Sequence, residues 1–293
     1  MEAASADCAL PQPHADEPAS ACQLPVLRLA DGEANEARDQ LIAETPVALV
    51  YNGVSHAVLM ATPEHLSDFA LGFSLSEGIL ARPSELFDCE VRAYPQGVEL
   101  RLEIAGARFA RLKERRRSMT GRTGCGLCGV DSLAAVALPL GRVAGIAALS
   151  PRAVERALAG FALRQPLREA TGAAHAAAWV DAAGDILLVR EDVGRHNALD
   201  KLIGALARDG FDPTTGFALV SSRASYEMVQ KAASAGIGAL VAMSAATAYA
   251  AELAAACGMT LAGFARPGRL VVYSGRERIQ TSASPNAGPR NPA

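Results

Sequence analysis

Ile186-Leu187-Leu188-Val189-Arg190-Glu191-Asp192-Val193-Gly194-Arg195-His196-Asn197-Ala198-Leu199-Asp200-Lys201 decides how the second half of this chain is read. An apolar run to Val189 has strand character. Polar and turn-forming residues crowd behind it, and a helix then continues to about Ala207. A bare helix start needs one cap, so this crowding marks a pocket candidate built on Asp192, Arg195 and His196. A helix N-terminus at that point favours anions. The unit of strand, polar or glycine-bearing turn, and helix then recurs. Phe217–Val220 leads into Ser221-Ser222-Arg223 and a helix ended by Gly236, and Ala239–Met243 into Ser244 and a helix ended by Gly258. Thr260–Phe264 leads into Ala265–Arg269. Upstream, Ser150-Pro151 opens a helix with Val154, Ala157, Leu158 and Phe161 on one face, and His175–Val180 pairs with Ile186–Val189 around Asp181–Asp185. This alternation predicts an α/β region, 150–281, with a mostly parallel sheet covered by helices. Right-handed crossovers put the strand-end turns on one edge, where open sheets of this kind bind ligands.

The first half reads as a smaller α+β region over 23–107. Val47–Tyr51 and Val54–Met60 flank Asn52-Gly53, a strong hairpin signal. Thr62 and Pro63 suit the start of a helix whose apolar face is Leu66, Phe69, Ala70 and Phe73, ended by Gly78. A second hairpin spans Phe87–Tyr94 and Val98–Ile104, turning at Gln96-Gly97. Residues 108–149 then read as a basic arm, a Cys-x-x-Cys loop and a connector. Residues 1–22 and 282–293 lack periodicity and are expected to be disordered tails.

The chain has 293 residues, 50% of them hydrophobic, with a net charge of -3 and a sequence pI near 6.0. That balance argues against affinity of the whole surface for nucleic acid. Six cysteines over this length do not form a disulfide framework and fit a reducing compartment. Met1–Cys22 lacks the basic start and apolar run of a signal peptide. The apolar stretch Leu133–Leu149 is broken by Pro139, Gly141 and Arg142, which excludes a membrane helix there. A cytoplasmic protein is the expectation.

Arg108 to Arg122 holds seven cationic residues and one Glu, and ends in Thr123-Gly124-Cys125-Gly126-Leu127-Cys128-Gly129. Zinc wants four ligands, and no second Cys-x-x-Cys or His pair completes a site around Cys125 and Cys128. A thioredoxin-like dithiol needs a strand before it, and Arg115–Arg122 is a poor one. A third chemical reading is a mobile thiol arm, set against two ordinary surface cysteines, which would be odd in so polar and glycine-rich a loop. Glycines make the backbone pliable, and nearby arginines favour the nucleophilic thiolate. The arginine run itself is either a solvated face or an anion-binding arm. Aromatic residues for stacking bases are absent between Arg111 and Arg122, which argues against RNA.

Four segments resemble the FdhD family of formate dehydrogenase accessory sulfurtransferases: Thr123–Gly129, Arg190–Lys201, Ser222–Lys231 with Glu227-Met228-Val229, and Gly263-Phe264-Ala265-Arg266. The resemblance runs from about Val47 to Ile279. It implies a sulfurtransferase that takes persulfide sulfur from a cysteine desulfurase onto Cys125, with Cys128 as partner thiol. The sulfur then passes to the molybdenum cofactor, bis-molybdopterin guanine dinucleotide, before its insertion into formate dehydrogenase. A homodimer is also implied, as is a cofactor stretch at Phe264, Ala265, Arg266, Pro267, Gly268 and Arg269. The strand-end argument adds Asp192, Gly194, Arg195, His196, Asn197, Ser222 and Arg223 at the same edge. The family's second half resembles a three-layer cytidine-deaminase-like fold. A zinc deaminase needs His-x-Glu and Pro-Cys-x-x-Cys. The corresponding turns here read His196-Asn197-Ala198 and Ser221-Ser222-Arg223, so neither zinc nor deaminase chemistry is expected. The competing reading is a cofactor escort whose cysteines only bind a partner; a zinc-binding interaction module is more distant.

Overall fold

The computed structural model describes residues 19–120, 140–146 and 148–280. The chain opens with an antiparallel ribbon, β1 (Ala21–Ala30) and β2 (Glu33–Ile42). Asp31 and Gly32 turn it with φ of 52° and 84°, the backbone that a two-residue hairpin loop requires. Ala21 and Cys22 therefore belong to a strand, which corrects the expected tail boundary at 22.

A four-stranded sheet follows, in the order β4-β3-β6-β5. Its strands are β3 (Thr45–Tyr51), β4 (Val54–Ala61), β5 (Leu86–Tyr94) and β6 (Gly97–Ile104). Asn52-Gly53 makes the first hairpin turn, as the sequence predicts. Helix α1 (Leu66–Ser76) covers one face of the sheet. Thr62 does not cap it; His65, in left-handed backbone, stands at the cap position instead. Helix α2 (Gly106–Thr120) carries much of the basic run and anchors to the same core through buried Leu112. The expected boundary at 107/108 thus falls inside a helix.

The second half contains α3 (Pro151–Phe161), α4 (Pro166–Thr171), α5 (Arg195–Asp209), α6 (Tyr226–Ser234) and α7 (Ala248–Cys257). Its six-stranded sheet runs β12-β11-β10-β9-β7-β8. The strands are β7 (His175–Asp181), β8 (Ile186–Asp192), β9 (Gly216–Val220), β10 (Ala239–Ala242), β11 (Thr260–Arg266) and β12 (Arg269–Ser274). The expectation of a mostly parallel sheet needs correction. Pairings β9–β10 and β10–β11 are parallel, whereas β7–β8, β7–β9 and β11–β12 are antiparallel. Loops of a few residues join β7 to β8 and β11 to β12, too short for a parallel crossover. β8, β9, β10 and β11 still point the same way, so their carboxyl ends share one edge.

Helix α3 covers one face of this sheet, with Val154, Ala157 and Phe161 against Ala178, Phe217 and Val241. Helices α5, α6 and α7 cover the other face through Leu202, Met228 and Ala254. Helix α1 packs in turn on the outside of α5, so it is enclosed between that helix and the four-stranded sheet. This enclosure explains why Ser74 and Ser76 are buried along with its apolar face. The α1–α5 crossing needs two glycines. A Cβ on Gly72 would lie 1.7 Å from the Asp200 carbonyl oxygen, and one on Gly204 would lie 1.8 Å from that of Asp68.

Candidate functional site

The turn from β8 into α5 is fixed by one carboxylate. Asp192 Oδ1 accepts from the Gly194 amide at 2.7 Å and from Asn197 Nδ2 at 3.0 Å. Oδ2 accepts from the Thr62 amide at 3.0 Å and pairs with Lys201 Nζ at 2.7 Å. Lys201 also donates to the carbonyls of Thr62 and Glu191, and Thr62 Oγ1 accepts from the Val193 amide. Burial pushes the Lys201 ammonium down from its ordinary pKa, and Asp192 opposes that shift. The network ties the β4–α1 connection to the second half. Asp192 is wholly buried and Asn197 nearly so, with its amide also donating to the Met60 carbonyl. These two residues therefore shape the turn from inside and present no side chain at the edge. Gly194 is confined too, since a Cβ would meet Asn197 Nδ2 at 2.9 Å.

The same turn presents Arg195 and His196. His196 Nε2 lies 2.8 Å from Glu227 Oε2 on α6 and 3.4 Å from Arg195 Nε. One ring nitrogen cannot donate to the first and accept from the second. The shorter contact defines Nε2 as the donor, and Arg195 acts on the ring through its charge. Burial lowers the His196 pKa; Glu227 opposes this and Arg195 reinforces it. His175 starts β7 at the same edge, its Nδ1 3.4 Å from Ser221 Oγ, and burial followed by Arg195 and Arg168 lowers its pKa.

The β9 and β11 ends complete the edge. Ser222 Oγ donates to the Arg223 carbonyl and is buried, while the Arg223 side chain is exposed. Phe264 adopts φ 50°, left-handed backbone that is costly for an aromatic residue, and its amide donates to the Ser244 carbonyl at 2.9 Å. The residue is 38% exposed, with the Arg269 guanidinium 5.1 Å from the centre of its ring. Arg266 Nη1 donates to the Met243 and Ala265 carbonyls. Ala265 is buried, Pro267 and Gly268 form the turn, and the Gly268 amide donates to Glu155. Of the expected site residues, Arg195, His196, Arg223, Phe264, Arg266 and Arg269 thus present side chains or charge along one edge. Sequence reading quoted Glu227 within the Ser222–Lys231 segment but nominated neither it nor Tyr226 nor Tyr249 as a site residue. The tyrosines follow Ser225 and Thr247, the caps of successive helices, and that capping pattern was the available signal.

Cys125 and Cys128 lie outside the described residues. The helix that leads to them does not. Arg115 on α2 donates to the Glu77 carbonyl at the end of α1, at 3.2 Å. Glu77 Oε1 pairs with Lys231 Nζ at 2.8 Å, and Lys231 also pairs with Asp200. Burial alone would lower the Lys231 pKa; Asp200 and Glu77 outweigh it and raise the pKa. Lys231 stands one turn along α6 from Glu227, the partner of His196, so the chain of contacts from Arg115 through Glu77 leads to the helix that borders the edge. Among the described cysteines, burial pushes the Cys89 thiol up to about 11 and raises that of Cys257, while Cys22 is exposed. Among the described residues no group of three or more His, Cys, Asp or Glu is placed to hold a metal ion. No helix there is long and apolar enough to cross a membrane.

Fold and edge together define an α/β protein whose described residues form three sheets, with a cationic, aromatic strand-end rim on the six-stranded one. A crystal structure assigned as a formate dehydrogenase accessory protein from Desulfotalea psychrophila has the same fold, with a TM-score of 0.70 at 22% identity over 89% of this chain and 99% of that one. The chain belongs to the FdhD/NarQ family, whose model matches residues 42–280. It is 54% identical to the sulfur carrier protein FdhD of Variovorax paradoxus over 257 residues, 88% of this chain and 92% of that protein. It is 53% identical to the sulfur carrier protein FdhD of Cupriavidus necator over 268 residues, 92% of this chain and 93% of that protein.

Proposed function

We propose that this chain is a cytoplasmic sulfur carrier, a sulfurtransferase acting through a cysteine persulfide. The Cys125 thiolate attacks the outer sulfur of a cysteine desulfurase persulfide; the S–S bond breaks and the desulfurase thiolate leaves. The Cys128 thiolate then attacks the inner sulfur of the Cys125 persulfide; a Cys125–Cys128 disulfide forms, the persulfide S–S bond breaks, and the outer sulfur leaves as sulfide to bis-molybdopterin guanine dinucleotide, bound as substrate, before that cofactor enters formate dehydrogenase. Cys128 serves as partner thiol, and the chain works as a homodimer. The second half is read as cytidine-deaminase-like in its layers and without deaminase chemistry at its strand ends.

The observation that carries this reading is the anchoring of α2. Arg115 bonds the Glu77 carbonyl, and Glu77 pairs with Lys231, one turn along α6 from Glu227, the partner of His196. Cys125 follows Thr120 by five residues, a reach of at most about 17 Å of extended chain. A thiol segment rooted there serves the cationic edge. Arg195, Arg223, Arg266 and Arg269 suit the phosphates of a dinucleotide, and Phe264 suits a ring. The test is incubation with a desulfurase and cysteine, followed by intact mass and peptide mapping. Wild type gains one sulfur on Cys125, and Cys125→Ala gains none and fails to mature formate dehydrogenase. Full maturation without loading would establish the escort reading instead.

A further inference from the structure

A second concentration of arginines lies at the opposite edge of the six-stranded sheet from the strand-end rim. β12 starts at the rim with Arg269 and ends at Ser274, which pairs with Leu261 near the start of β11. The chain then passes through Gly275 into a short helical turn, Arg276–Arg278. A cleft of about 300 Å³ opens between that turn, the end of α7 and the connector at Arg142. Its charged lining is Arg142, Arg276 and Arg278 against Glu277 alone. Arg278 is held in place: Nη1 donates to the Gly258 carbonyl at 3.0 Å and to Thr260 Oγ1 at 3.3 Å, and a Cβ on Gly145 would lie 2.6 Å from Nε. Arg142 stands at the same helix end, its Nε and Nη2 3.7 Å from where a Cβ on Gly258 would be. Capping of α7 does not account for all three cations. Three of its last four carbonyls already accept from backbone amides, Ala254 from Met259, Ala255 from Gly258 and Cys257 from Val143. Among the described residues Arg142 and Arg276 make no ion pair, and the one acid near Arg278 is Glu277 at 3.4 Å, itself 69% exposed.

Three guanidiniums around one small cleft repel one another, and an anion seated among them relieves that repulsion. We propose that Arg142, Arg276 and Arg278 form a second anion site, which takes a small tetrahedral oxyanion of the phosphate, sulfate and thiosulfate class. Arg278, fixed by Gly258 and Thr260, is the preorganised donor, and the exposed Arg142 and Arg276 supply the remaining N–H groups. A guanidinium fork matches two oxygens of such an ion at once. The carboxyl end of α7 and Glu277 both oppose an anion here, which holds the affinity to roughly the millimolar range. The site shares no residue with the strand-end rim, so it stands or falls independently of the cofactor reading.

The test is calorimetry at low ionic strength on the full chain carrying Arg269→Glu, which weakens the opposite rim for anions. The titrants are inorganic phosphate, sulfate and thiosulfate. The chain binds these ions, and the affinity falls as sodium chloride is added. Arg142→Ala and Arg276→Ala, added singly, each weaken binding about tenfold, the value of one hydrogen bond to a charged group. Both side chains are exposed, so the melting temperature of these variants serves as the check that the fold is intact. Comparable affinities for the three ions assign the cleft to tetrahedral oxyanions in general. A preference of about tenfold for thiosulfate assigns it to a sulfur-bearing anion. Either result supports the proposal. Absence of binding, or binding undiminished when Arg142→Ala and Arg276→Ala are combined, overturns it.

Discussion

Gly72→Ala sets two physical effects against each other at the α1–α5 crossing. Intrinsic propensity favours alanine in a helix by about 1 kcal/mol. The tertiary contact opposes it, because the new Cβ would lie 1.7 Å from the Asp200 carbonyl oxygen and 2.7 Å from the Gly204 amide nitrogen. Ordinary carbon contacts need roughly 3.5 Å, so the helices must part by more than about 1.5 Å. Overpacking of this kind costs about 1–3 kcal/mol, occasionally more. Here the displaced residue is Asp200, whose carboxylate holds Ser76 at 2.7 Å and Lys231 at 2.9 Å. That coupling places the cost at the upper end, for a net loss of about 2–3 kcal/mol after the propensity gain. For a chain of this size the melting temperature should fall by roughly 5–10 °C. Urea unfolding should show a lower midpoint with an unchanged slope. Gly160→Ala in α3 is the control, because its Cβ would meet Ile186 Cδ1 at a comfortable 3.6 Å. It should leave stability unchanged or raise it. If Gly72→Ala is as stable as wild type, the close crossing is wrong.

Lys201→Met leaves the Asp192 carboxylate buried without its cation, and should cost about 3–5 kcal/mol; a melting temperature within 2 °C of wild type would show that the pair does not stabilise the fold. Burial and neighbouring arginines lower the His175 pKa below its ordinary 6.5, so as pH falls the unfolded chain takes up this proton first. The His175 contribution to stability should therefore decline as pH drops through 6.5, and His175→Gln should flatten that part of the melting profile; an NMR titration midpoint above 6.5 would reverse the sign. Arg269→Glu should lose GDP binding while Cys125 still accepts sulfur, and calorimetry showing undiminished affinity would move the phosphate site elsewhere. The purified protein should carry no stoichiometric zinc, and elemental analysis finding one zinc per chain, lost on replacing Cys125 and Cys128 with serine, would reinstate the interaction-module reading.

Sequence alone was sufficient wherever a signal is local. The Asn52-Gly53 hairpin, the apolar face of α1 and the recurring strand, turn and helix units all follow from periods of two or 3.6 residues and from turn chemistry. The strand-end edge could be named on that basis and resemblance supplied a chemistry for it, whereas the boundary expected near 108 falls inside α2. The first ribbon was not read from the sequence: Asp31-Gly32 offers a turn signal, but the flanking strands are largely exposed and carry no buried apolar face to reveal them.

What the tertiary structure decided are pairings between residues far apart in the chain. Thr62 looked like a helix cap because capping is a local rule, yet its amide goes to Asp192, 130 residues away. Asp192 and Asn197 looked like ligand contacts because polar residues at a strand end usually meet solvent; packing of the first half over that turn closes them in. Glu227 reaches His196, Tyr226 meets Tyr249, and Gly72 meets Gly204 only because α5, α6 and α7 lie side by side with α1 across them. A residue's type and period fix the element it joins and the face it takes. Which other element that face meets depends on how the layers stack, and no window of neighbouring residues contains that information.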